Sequence, residues 1–482
     1  MKRFAAPLAL ILCLVLCAAA FASCALNGDD DETASPAETT SGFCTVTFVV
    51  LGTEYTVQTK RNQVPVCPVT PPKTASDPNG INLNYLGWDK EITSVTEDTV
   101  YTAQYGCAAT VLQAKDGAKG ILTMTYDDGL YDTAVWVNQK NKQYGLNGSC
   151  MLVVNKLSSS MIAKWKTLFM DGTLEPECHS MTHDTLPADW SKHYLDTAKK
   201  GNNNQPKYKY ELIDSKNKLE ELFPGKKILC FAPADNTLST ASFALDANGN
   251  ADFSRPLDDG GAQAVANANY YAIRQGRYGI QSLDPTLDAE TGGWYNLKIQ
   301  WFREWMNGNA NGLSWLDDTV GDGGWLIVMC HAIYGNGASS TGSKDLTVDD
   351  AERFFAYAST FIKSGSLWAA TFGEATKYIR ERQNTTVTER YDKDKNAVYV
   401  DMKINRTTKD GKVLTQSIFN YPLTVEVRVP ANWKSARYVN ENGKTQVTTA
   451  YTRDGVSYMT VNMIPGADGA TVTTDLFLLG TK

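Results

Sequence analysis

Residues 120–129 read Gly-Ile-Leu-Thr-Met-Thr-Tyr-Asp-Asp-Gly, an apolar run that ends in two adjacent carboxylates. Further strand-like apolar runs follow, and they cover residues 150–154, 227–231, 270–273, 325–330 and 367–371. Helical stretches such as Asp349–Lys363 lie between them. Near-continuous apolar strands that alternate with helices are typical of a parallel sheet with both faces buried. The segment from about residue 120 to residue 385 therefore predicts an α/β barrel, whose functional residues collect where strands end and loops begin.

Alternating apolar and polar residues flank this segment on both sides. The pattern covers residues 45–50 and 55–59 before the barrel and residues 423–429 and 458–461 after it. A period of two indicates half-buried strands. We therefore expect a small β domain over residues 44–106, the barrel domain over 107–385 and a C-terminal antiparallel β-sandwich over 386–482. The sandwich contains no His or Cys, so we expect no metal chemistry there.

The small N-terminal β domain carries a local resemblance. Residues 85–90, Tyr-Leu-Gly-Trp-Asp-Lys, and the strand-like run 98–105 resemble the internalin B-type extracellular β-repeat. Trp88 could act as a sugar-stacking platform there, but so small a domain needs large aromatic side chains to close its core. We therefore expect Trp88 to be a core residue.

The first 23 residues predict export as a signal peptide. Met1-Lys2-Arg3 gives a positive start, residues 4–22 are almost all apolar, and Ala20-Phe21-Ala22 fits a cleavage site. The alternative is an uncleaved membrane anchor, since a run of this length could just span a bilayer. Ala22-Ser23-Cys24 also resembles the end of a bacterial lipobox. A secreted protein and a lipoprotein anchored to the membrane through Cys24 are therefore both open, and either is extracellular or at the cell surface.

Neither residues 24–43 nor the cysteines predict a further folded element. Residues 24–43 are acidic and rich in Ser, Thr and Pro, which predicts a disordered, solvated linker. Of the ten Cys, three lie in the signal segment or at the lipobox, and the rest are odd in number and too sparse for a disulfide framework. No Cys-x-x-Cys zinc signature occurs.

Composition excludes two classes of protein. The chain is 43% hydrophobic and 21% charged, which is too apolar for a disordered protein. Its 46 Lys and Arg against 53 Asp and Glu give a formal net charge of −7, with no basic block. A nucleic-acid partner would demand clustered basic residues, so we expect no nucleic acid to bind. No pattern in the sequence indicates an oligomeric state.

Histidine is the scarce residue, and two of the four histidines share one motif. His179 and His183 enclose Ser-Met-Thr directly after a predicted strand. An i, i+4 spacing on a helix would put both imidazoles on one face, within reach of one ion. With a carboxylate from the Asp127–Asp128 pair, the result is a three-ligand site with room for a water, which a divalent ion acidifies toward neutral pH. Taken alone, a His-x-x-x-His match also occurs by chance.

The other two histidines stand in different settings. His331 follows the apolar run 325–330, and a polar residue at the mouth of a strand suits a general acid because imidazole titrates near neutral pH. The alternative for His331 is a core histidine with a satisfied hydrogen bond. His193 lies in a polar stretch and is expected at the surface.

The motifs Thr-Tyr-Asp-Asp-Gly at 125–129 and His-Ser-Met-Thr-His at 179–183, with the strand that ends at His331, resemble the polysaccharide deacetylases of carbohydrate esterase family 4. The resemblance covers residues 118–385 and implies a distorted (β/α) barrel hydrolase that removes acetyl groups from N-acetylated sugars or, in some members, from O-acetylated xylan. Carried over by position, it implies that Asp127 is the general base and His331 the acid that protonates the leaving group. It implies that the metal ligands are Asp128, His179 and His183. Zinc is the expected ion for such ligands, although cobalt or another divalent ion could occupy them.

The sequence departs from the family pattern at the third motif. The family usually has Arg-Pro-Pro-Tyr there, with the Arg orienting the base, whereas this chain has Ala232 at the Arg position. The amide that stabilises the oxyanion could still come from Asp235. We hypothesise that Arg274, at the end of the run 270–273, supplies the missing cation from a neighbouring strand; an exposed Arg274 is the alternative. The fourth motif is not recognisable, so no partner for His331 is predicted.

The expected function is therefore metal-dependent deacetylation of an acetylated polysaccharide or oligosaccharide. One alternative is an O-acetyl xylan esterase on the same fold. Another is a non-catalytic glycan-binding protein of the cell surface, which the altered third motif and the two flanking β domains would suit. An iron oxygenase with two His and one carboxylate uses similar ligands, but its usual His-x-Asp spacing is missing.

Overall fold

The computed structural model describes residues 42–479 apart from 77–81, 107–108, 185–208, 241, 246–250, 258–259, 288–292, 303–311, 336–343, 393–394, 441 and 454. The predicted signal peptide, most of the predicted linker, Cys24 and His193 lie outside the described residues. Among the helices of the described ranges, none is both long and apolar enough to cross a membrane. The chain divides into two compact units, one of residues 42–70 and 88–103 and one of residues 71–87 and 104–479.

The first unit is built on strands β1 (Phe43–Val50) and β2 (Thr53–Lys60), which pair antiparallel from Phe43↔Lys60 to Val50↔Thr53. Every second residue of β1 points into a small core, and Phe48 stacks there on Tyr101 at 5.4 Å between ring centroids. Trp88 packs edge-on against Phe48 at 5.2 Å, as a half-buried partner of that core. Trp88 is thus part of the packing in this small unit.

The second unit begins with a short antiparallel pair and reaches the barrel through a short strand. The strands of this region are β3 (Thr74–Ser76), β4 (Asn82–Trp88), β5 (Thr99–Gly106) and β6 (Thr110–Val111), and β3 pairs antiparallel with β4. The first residues of β5 belong to the first unit, where they run parallel to β1. Strand β6 pairs with a strand of the C-terminal sheets described below.

Seven parallel strands then close into a barrel. They are β7 (Gly120–Tyr126), β8 (Gly148–Leu152), β9 (Leu174–Cys178), β10 (Cys230–Phe231), then, after the hairpin β11 (Ser242–Leu245) and β12 (Ala251–Leu257), β13 (Ala272–Tyr278), β14 (Leu297–Trp301) and β15 (Trp325–Cys330). The closing pair is β15 with β7, from Trp325↔Ile121 to Cys330↔Tyr126. All residues of β7, β8 and β15 are buried, as their continuous apolar runs predict.

The barrel is distorted at one edge of β7. After the parallel pair β16 (Ala332–Tyr334) and β17 (Lys344–Thr347), strand β18 (Leu367–Ala369) pairs with the first half of β7, while β8 pairs with its second half. Two strands therefore share the edge that one strand holds in a regular barrel. The predicted α/β class is confirmed, with a distorted (β/α) barrel and additional antiparallel strands toward both ends of the chain.

Helices cover the barrel strands from outside. They are α1 (Tyr131–Tyr144), α2 (Ser159–Leu168), α3 (Ser215–Leu222), which continues a π-helical turn at Tyr210–Asp214, α4 (Gly261–Asn269), α5 (Ser314–Asp318), which continues into a π-helical turn at Thr319–Gly323, α6 (Val348–Lys363) and α7 (Phe372–Gln383). The Thr347 side chain accepts the Asp350 amide at the start of α6, and Thr371 and Glu374 form a full capping box on α7.

Two antiparallel sheets form the C-terminal sandwich. Its strands are β19 (Thr385–Asp392), β20 (Ala397–Ile404), β21 (Leu423–Arg428), β22 (Ser435–Val439), β23 (Thr445–Thr449), β24 (Tyr451–Arg453), β25 (Val456–Met463) and β26 (Val472–Leu478). One sheet has the order β19-β20-β26-β22-β23 and the other β24-β25-β21-β6. The ion pair of the buried Arg380 on α7 with Asp410 ties the barrel to this domain.

Candidate active site

Five sequence-predicted site residues lie at one rim of the barrel. Asp127 and Asp128 follow β7, His179 follows β9 and His331 follows β15. Because the strands are parallel, their carboxyl ends meet at the same rim, which is where barrels carry their chemistry. Arg274 lies on β13 and reaches Asp127 from there. His183, the sixth residue, is brought to the rim by the loop after His179.

Asp128, His179 and His183 offer three donor atoms that lie within 4.8 Å of one another. Oδ1 of Asp128 is 3.1 Å from Nε2 of His183 and 3.8 Å from Nε2 of His179. Nδ1 of His179 lies 2.7 Å from the carbonyl oxygen of Ala232 and donates to it, which leaves Nε2 as the lone-pair donor that faces the other two. Two imidazole nitrogens and one carboxylate oxygen fit a divalent ion with an open coordination position.

The two histidines converge through a loop, and the expectation that they share a helical face is wrong. Strand β9 ends at Cys178, and the backbone then turns with φ of +72° at Ser180 and +67° at His183. These left-handed values do not occur inside a right-handed helix. The His183 amide donates to Oγ of Ser180 at 2.9 Å, and the two imidazole centroids are 4.9 Å apart.

Asp128 itself is held in a tight turn. Its φ is +71° and that of Gly129 is +64°, so two consecutive residues take the left-handed region directly after β7. Burial alone would raise the pKa of Asp128, but the hydrogen bond from His183 and the nearby charges of His179 and Lys156 hold it well below the ordinary value. The carboxylate is therefore ionised and available to a cation at neutral pH.

Asp127 and Arg274 form a buried ion pair beneath these donors. A terminal nitrogen of Arg274 donates to Oδ1 of Asp127, and the other terminal nitrogen donates to Oδ1 of Asn236 at 3.2 Å. Both side chains are buried, so Arg274 is not an exposed residue. Burial alone would raise the pKa of Asp127, but the charge of Arg274, with those of His179 and His331, holds it below the ordinary value. Arg274 thus places a buried cation against Asp127.

His331 has a partner that sequence reasoning missed. Its Nδ1 lies 2.9 Å from Oδ2 of Asp345 on β17, and its backbone amide donates to the same oxygen. Burial alone would lower the pKa of His331, but the hydrogen bond to Asp345 and the charge of Asp127 raise it above the ordinary value. Asp345 lies 14 residues after His331, on β17 shortly before the cap of α6, and only a buried position would have distinguished it from a surface acid.

Lys156 is a second residue that the sequence did not single out. Its Nζ lies 3.1 Å from Oδ1 of Asp128, the same oxygen that faces His183, and the side chain is half exposed. A metal ion bound to Asp128 would meet the ammonium group at short range, and the two positive charges would repel each other.

Replacing Lys156 by Met is expected to raise the affinity of the site for Zn²⁺ by about fivefold, because a partly exposed charge is worth up to about 1 kcal/mol. Isothermal titration calorimetry on the purified protein measures this change. Lys166→Met, an exposed lysine on α2, is the matched control and should leave the dissociation constant unchanged. An unchanged or weaker affinity in Lys156→Met would show that the ammonium does not oppose the ion.

Comparison with known proteins adds few constraints. No family model matches the chain. A gellan lyase of a Bacillus species is 23% identical over 442 residues, which is 90% of this chain; the chain spans 15% of the length of this curated relative.

Three solved structures of carbohydrate-modifying proteins are similar to part of the chain. The Xyl-CE4 domain of a multidomain xylanase from the hindgut metagenome of Trinervitermes trinervoides covers 53% of this chain and 89% of its own at 13% identity, with a TM-score of 0.29. A family 4 acetyl xylan esterase from Clostridium thermocellum in complex with a cobalt ion has the same coverage and identity and a TM-score of 0.30. A polysaccharide deacetylase from Bacillus cereus covers 52% and 92% at 12% identity, with a TM-score of 0.29. Values this low do not assign a family or an activity to this chain.

Proposed function

We propose that this chain is a metal-dependent hydrolase that removes acetyl groups from an N-acetylated polysaccharide. One observation carries the proposal: three metal donors, an ionised buried carboxylate and a histidine with a carboxylate partner meet at one barrel rim. The motifs that supply these groups are the ones in which the sequence resembles the polysaccharide deacetylases. The enzyme would act outside the cytoplasm, because residues 1–23 have the pattern of an export signal.

The metal donors would be Asp128, His179 and His183. A divalent ion, for which zinc suits two imidazoles and a carboxylate, would supply Lewis acidity that polarises the acetyl carbonyl and lowers the pKa of a water. His179 is prepared for this role because burial lowers its pKa, so its Nε2 stays unprotonated at neutral pH.

Asp127 is the residue suited to take a proton. It is ionised and held in place by Arg274, and its Oδ2 lies 3.8 Å from Nε2 of His179, beside the donor cluster. In hydrolysis of the amide, water adds to the acetyl carbon and loses a proton to Asp127, and the bond from carbon to nitrogen then breaks. The products are acetate and a free amine.

His331 is the residue suited to return a proton. An amine leaves only after its nitrogen has been protonated, and because Asp345 raises the pKa of His331, this histidine keeps its proton to higher pH than an ordinary imidazole. An alkoxide leaves more readily than an amide anion, so this protonated group favours the amide over the ester substrate. An O-acetyl ester remains the alternative substrate for the same residues.

Acetate release tests the proposal. The purified chain is incubated with N-acetylglucosamine oligomers and with acetylxylan, after chelation and after addition of Zn²⁺ or Co²⁺. We expect metal-dependent acetate from the N-acetylated oligomers. Faster release from acetylxylan would identify an esterase, and glycan binding without acetate from either substrate would identify a non-catalytic binding protein.

Asp345→Asn is expected to move the alkaline limb of the kcat profile to lower pH and to lower kcat by about tenfold at neutral pH, as a partial loss of general acid catalysis. Removal of the carboxylate charge takes away the interaction that raises the pKa of His331, so the protonated form disappears at lower pH. Acetate release measured from pH 5 to pH 10 gives the profile.

Asp350→Asn, at a nearby acid in the first turn of α6 whose amide donates to the Thr347 cap, is the matched control for this profile. It should leave the alkaline limb in place. An identical limb in Asp345→Asn and wild type would mean that another group is the acid.

A further inference from the structure

A buried carboxylate holds the loop between the two histidines. Glu211 is fully buried in the π-helical turn that precedes α3. Its Oε2 accepts the backbone amides of Met181 and Thr182 at 2.9 Å each, and its Oε1 accepts the Thr182 hydroxyl at 2.7 Å. All three donors belong to the segment that joins His179 to His183. One side chain from a distant part of the sequence therefore satisfies three polar groups of this short segment.

The loop has reason to need such an anchor. Ser180 and His183 adopt left-handed φ, so the segment has no helical hydrogen bonds that could fix its amides. Buried amides without partners are costly, and a buried carboxylate is costly without donors, so each compensates the other here. The Met181 carbonyl, by contrast, faces the Asn155 amide at 2.9 Å and ties the loop to the neighbouring segment after β8.

The two histidines differ in how they are held. His179 directly follows β9, is buried, and has its ring fixed by Ala232. His183 is half-buried, and its position depends on the backbone of the loop. The geometry of the three donors thus depends on where residues 181 and 182 place the backbone that leads to His183.

We infer that Glu211 is a positioning residue for the metal site: it fixes the loop conformation that places His183 beside Asp128 and His179. The inference rests on the proposed metal-dependent function, since it assigns Glu211 a role in ion affinity. Glu211 is not one of the three donors, and its carboxylate contacts the loop between the two histidines. Its contribution reaches the site through the backbone amides of Met181 and Thr182.

Glutamine gives a sharp test because it can preserve the geometry without the charge. Its carbonyl oxygen can accept both amides, and its amide group can donate to Oγ of Thr182. We expect Glu211→Gln to bind Zn²⁺ within about threefold of wild type. Glu211→Ala should weaken Zn²⁺ binding by about 10- to 100-fold, the loss typical of outer partners of metal ligands. The visible spectrum of the Co²⁺-loaded protein, which reports coordination geometry, should change in Glu211→Ala and not in Glu211→Gln.

A matched control separates positioning from stability. Glu381 on α7 is also buried and accepts a backbone amide, that of Tyr421 at 3.1 Å. Glu381→Ala should lower Tm as Glu211→Ala does and leave the Zn²⁺ dissociation constant and the Co²⁺ spectrum unchanged. Equal Tm losses with wild-type Zn²⁺ affinity in Glu211→Ala would overturn the inference.

A shorter acid serves if Glu211→Ala does not fold. Glu211→Asp keeps the carboxylate but is one methylene too short for all three contacts, so its Zn²⁺ affinity should fall between those of wild type and the loss expected for alanine. Wild-type affinity in this variant would also overturn the inference. If wild-type protein binds neither Zn²⁺ nor Co²⁺, the proposed function fails instead, so the two failures are distinguishable.

Discussion

Replacing Asp127 by Asn is expected to lower kcat for acetate release by about a thousandfold, because the amide cannot take a proton and general base catalysis is worth about 10²–10⁴ in rate. The change keeps the size of the side chain and leaves the three proposed metal donors in place. Zn²⁺ affinity should therefore stay within a few-fold of wild type by calorimetry. More than a tenth of the wild-type turnover in the variant would show that another group is the base.

Arg274→Met is the companion variant for this experiment. Without the guanidinium, the pKa of Asp127 rises, so the carboxylate stays protonated to higher pH and the acidic limb of the profile moves upward. The matched control is Arg382→Met, since Arg382 pairs with Asp284 and not with a site residue. If Arg274→Met and the control have the same profile, Arg274 does not tune the base.

His183→Ala is expected to weaken Zn²⁺ binding by more than about a hundredfold and to abolish turnover at limiting metal. Loss of a metal ligand weakens metal binding more than loss of a residue that hydrogen-bonds to a ligand, which typically lowers metal affinity 10- to 100-fold. His183 is the ligand of choice for this test because it is half-buried, whereas removal of the buried His179 would also leave a cavity and an unpaired carbonyl at Ala232.

Calorimetry with Zn²⁺ and a Tm measurement check the effect of His183→Ala. Chelated wild-type protein is the control and should match the variant in activity without added metal. Partial recovery of turnover at high Zn²⁺ would agree with a weakened site. Wild-type affinity in the variant would remove His183 from the ligand set.

The barrel and the rim positions of most site residues could be predicted because both depend on patterns that the chain displays locally. Continuous apolar runs such as β7 and β15 are characteristic of buried parallel strands. Polar residues at the ends of such strands must meet at one rim, whichever helices connect them. This is why Asp127, Asp128, His179 and His331 could be placed together from the order of residues alone.

The backbone of the histidine motif could not be predicted in the same way. A spacing of four residues brings two side chains together on a helix, and it also does so in a tight loop after a strand. Ser180 and His183 are not glycines, so their residue types do not predict a positive φ. Three of the hydrogen bonds that stabilise this loop are accepted by Glu211, which lies too far along the sequence to be recognised as a partner.

Asp345, Glu211 and Lys156 were missed for a common reason. Acidic residues and lysines are usually exposed, so a single sequence gives no ground to bury one of them or to direct it toward a particular neighbour. Their partners lie 14 to 30 residues away along the chain. Arg274 was considered because Ala232 stands where the resemblance implies an Arg, and in the structure the Arg274 guanidinium donates to Asp127.

The pairing of strand β6 with the C-terminal sheet limits how the gene of this protein can be divided. Although it precedes the barrel in the chain, it forms the edge strand beside β21, and Leu112 next to it donates to the Thr424 carbonyl. A gene fragment that ended after the barrel would leave β6 without its neighbour, and one that encoded residues 386–482 alone would expose the edge of β21 to unwanted pairing. We therefore expect the barrel and the sandwich to be inherited together as one unit. Recombination within the gene should be tolerated before β6 rather than after it.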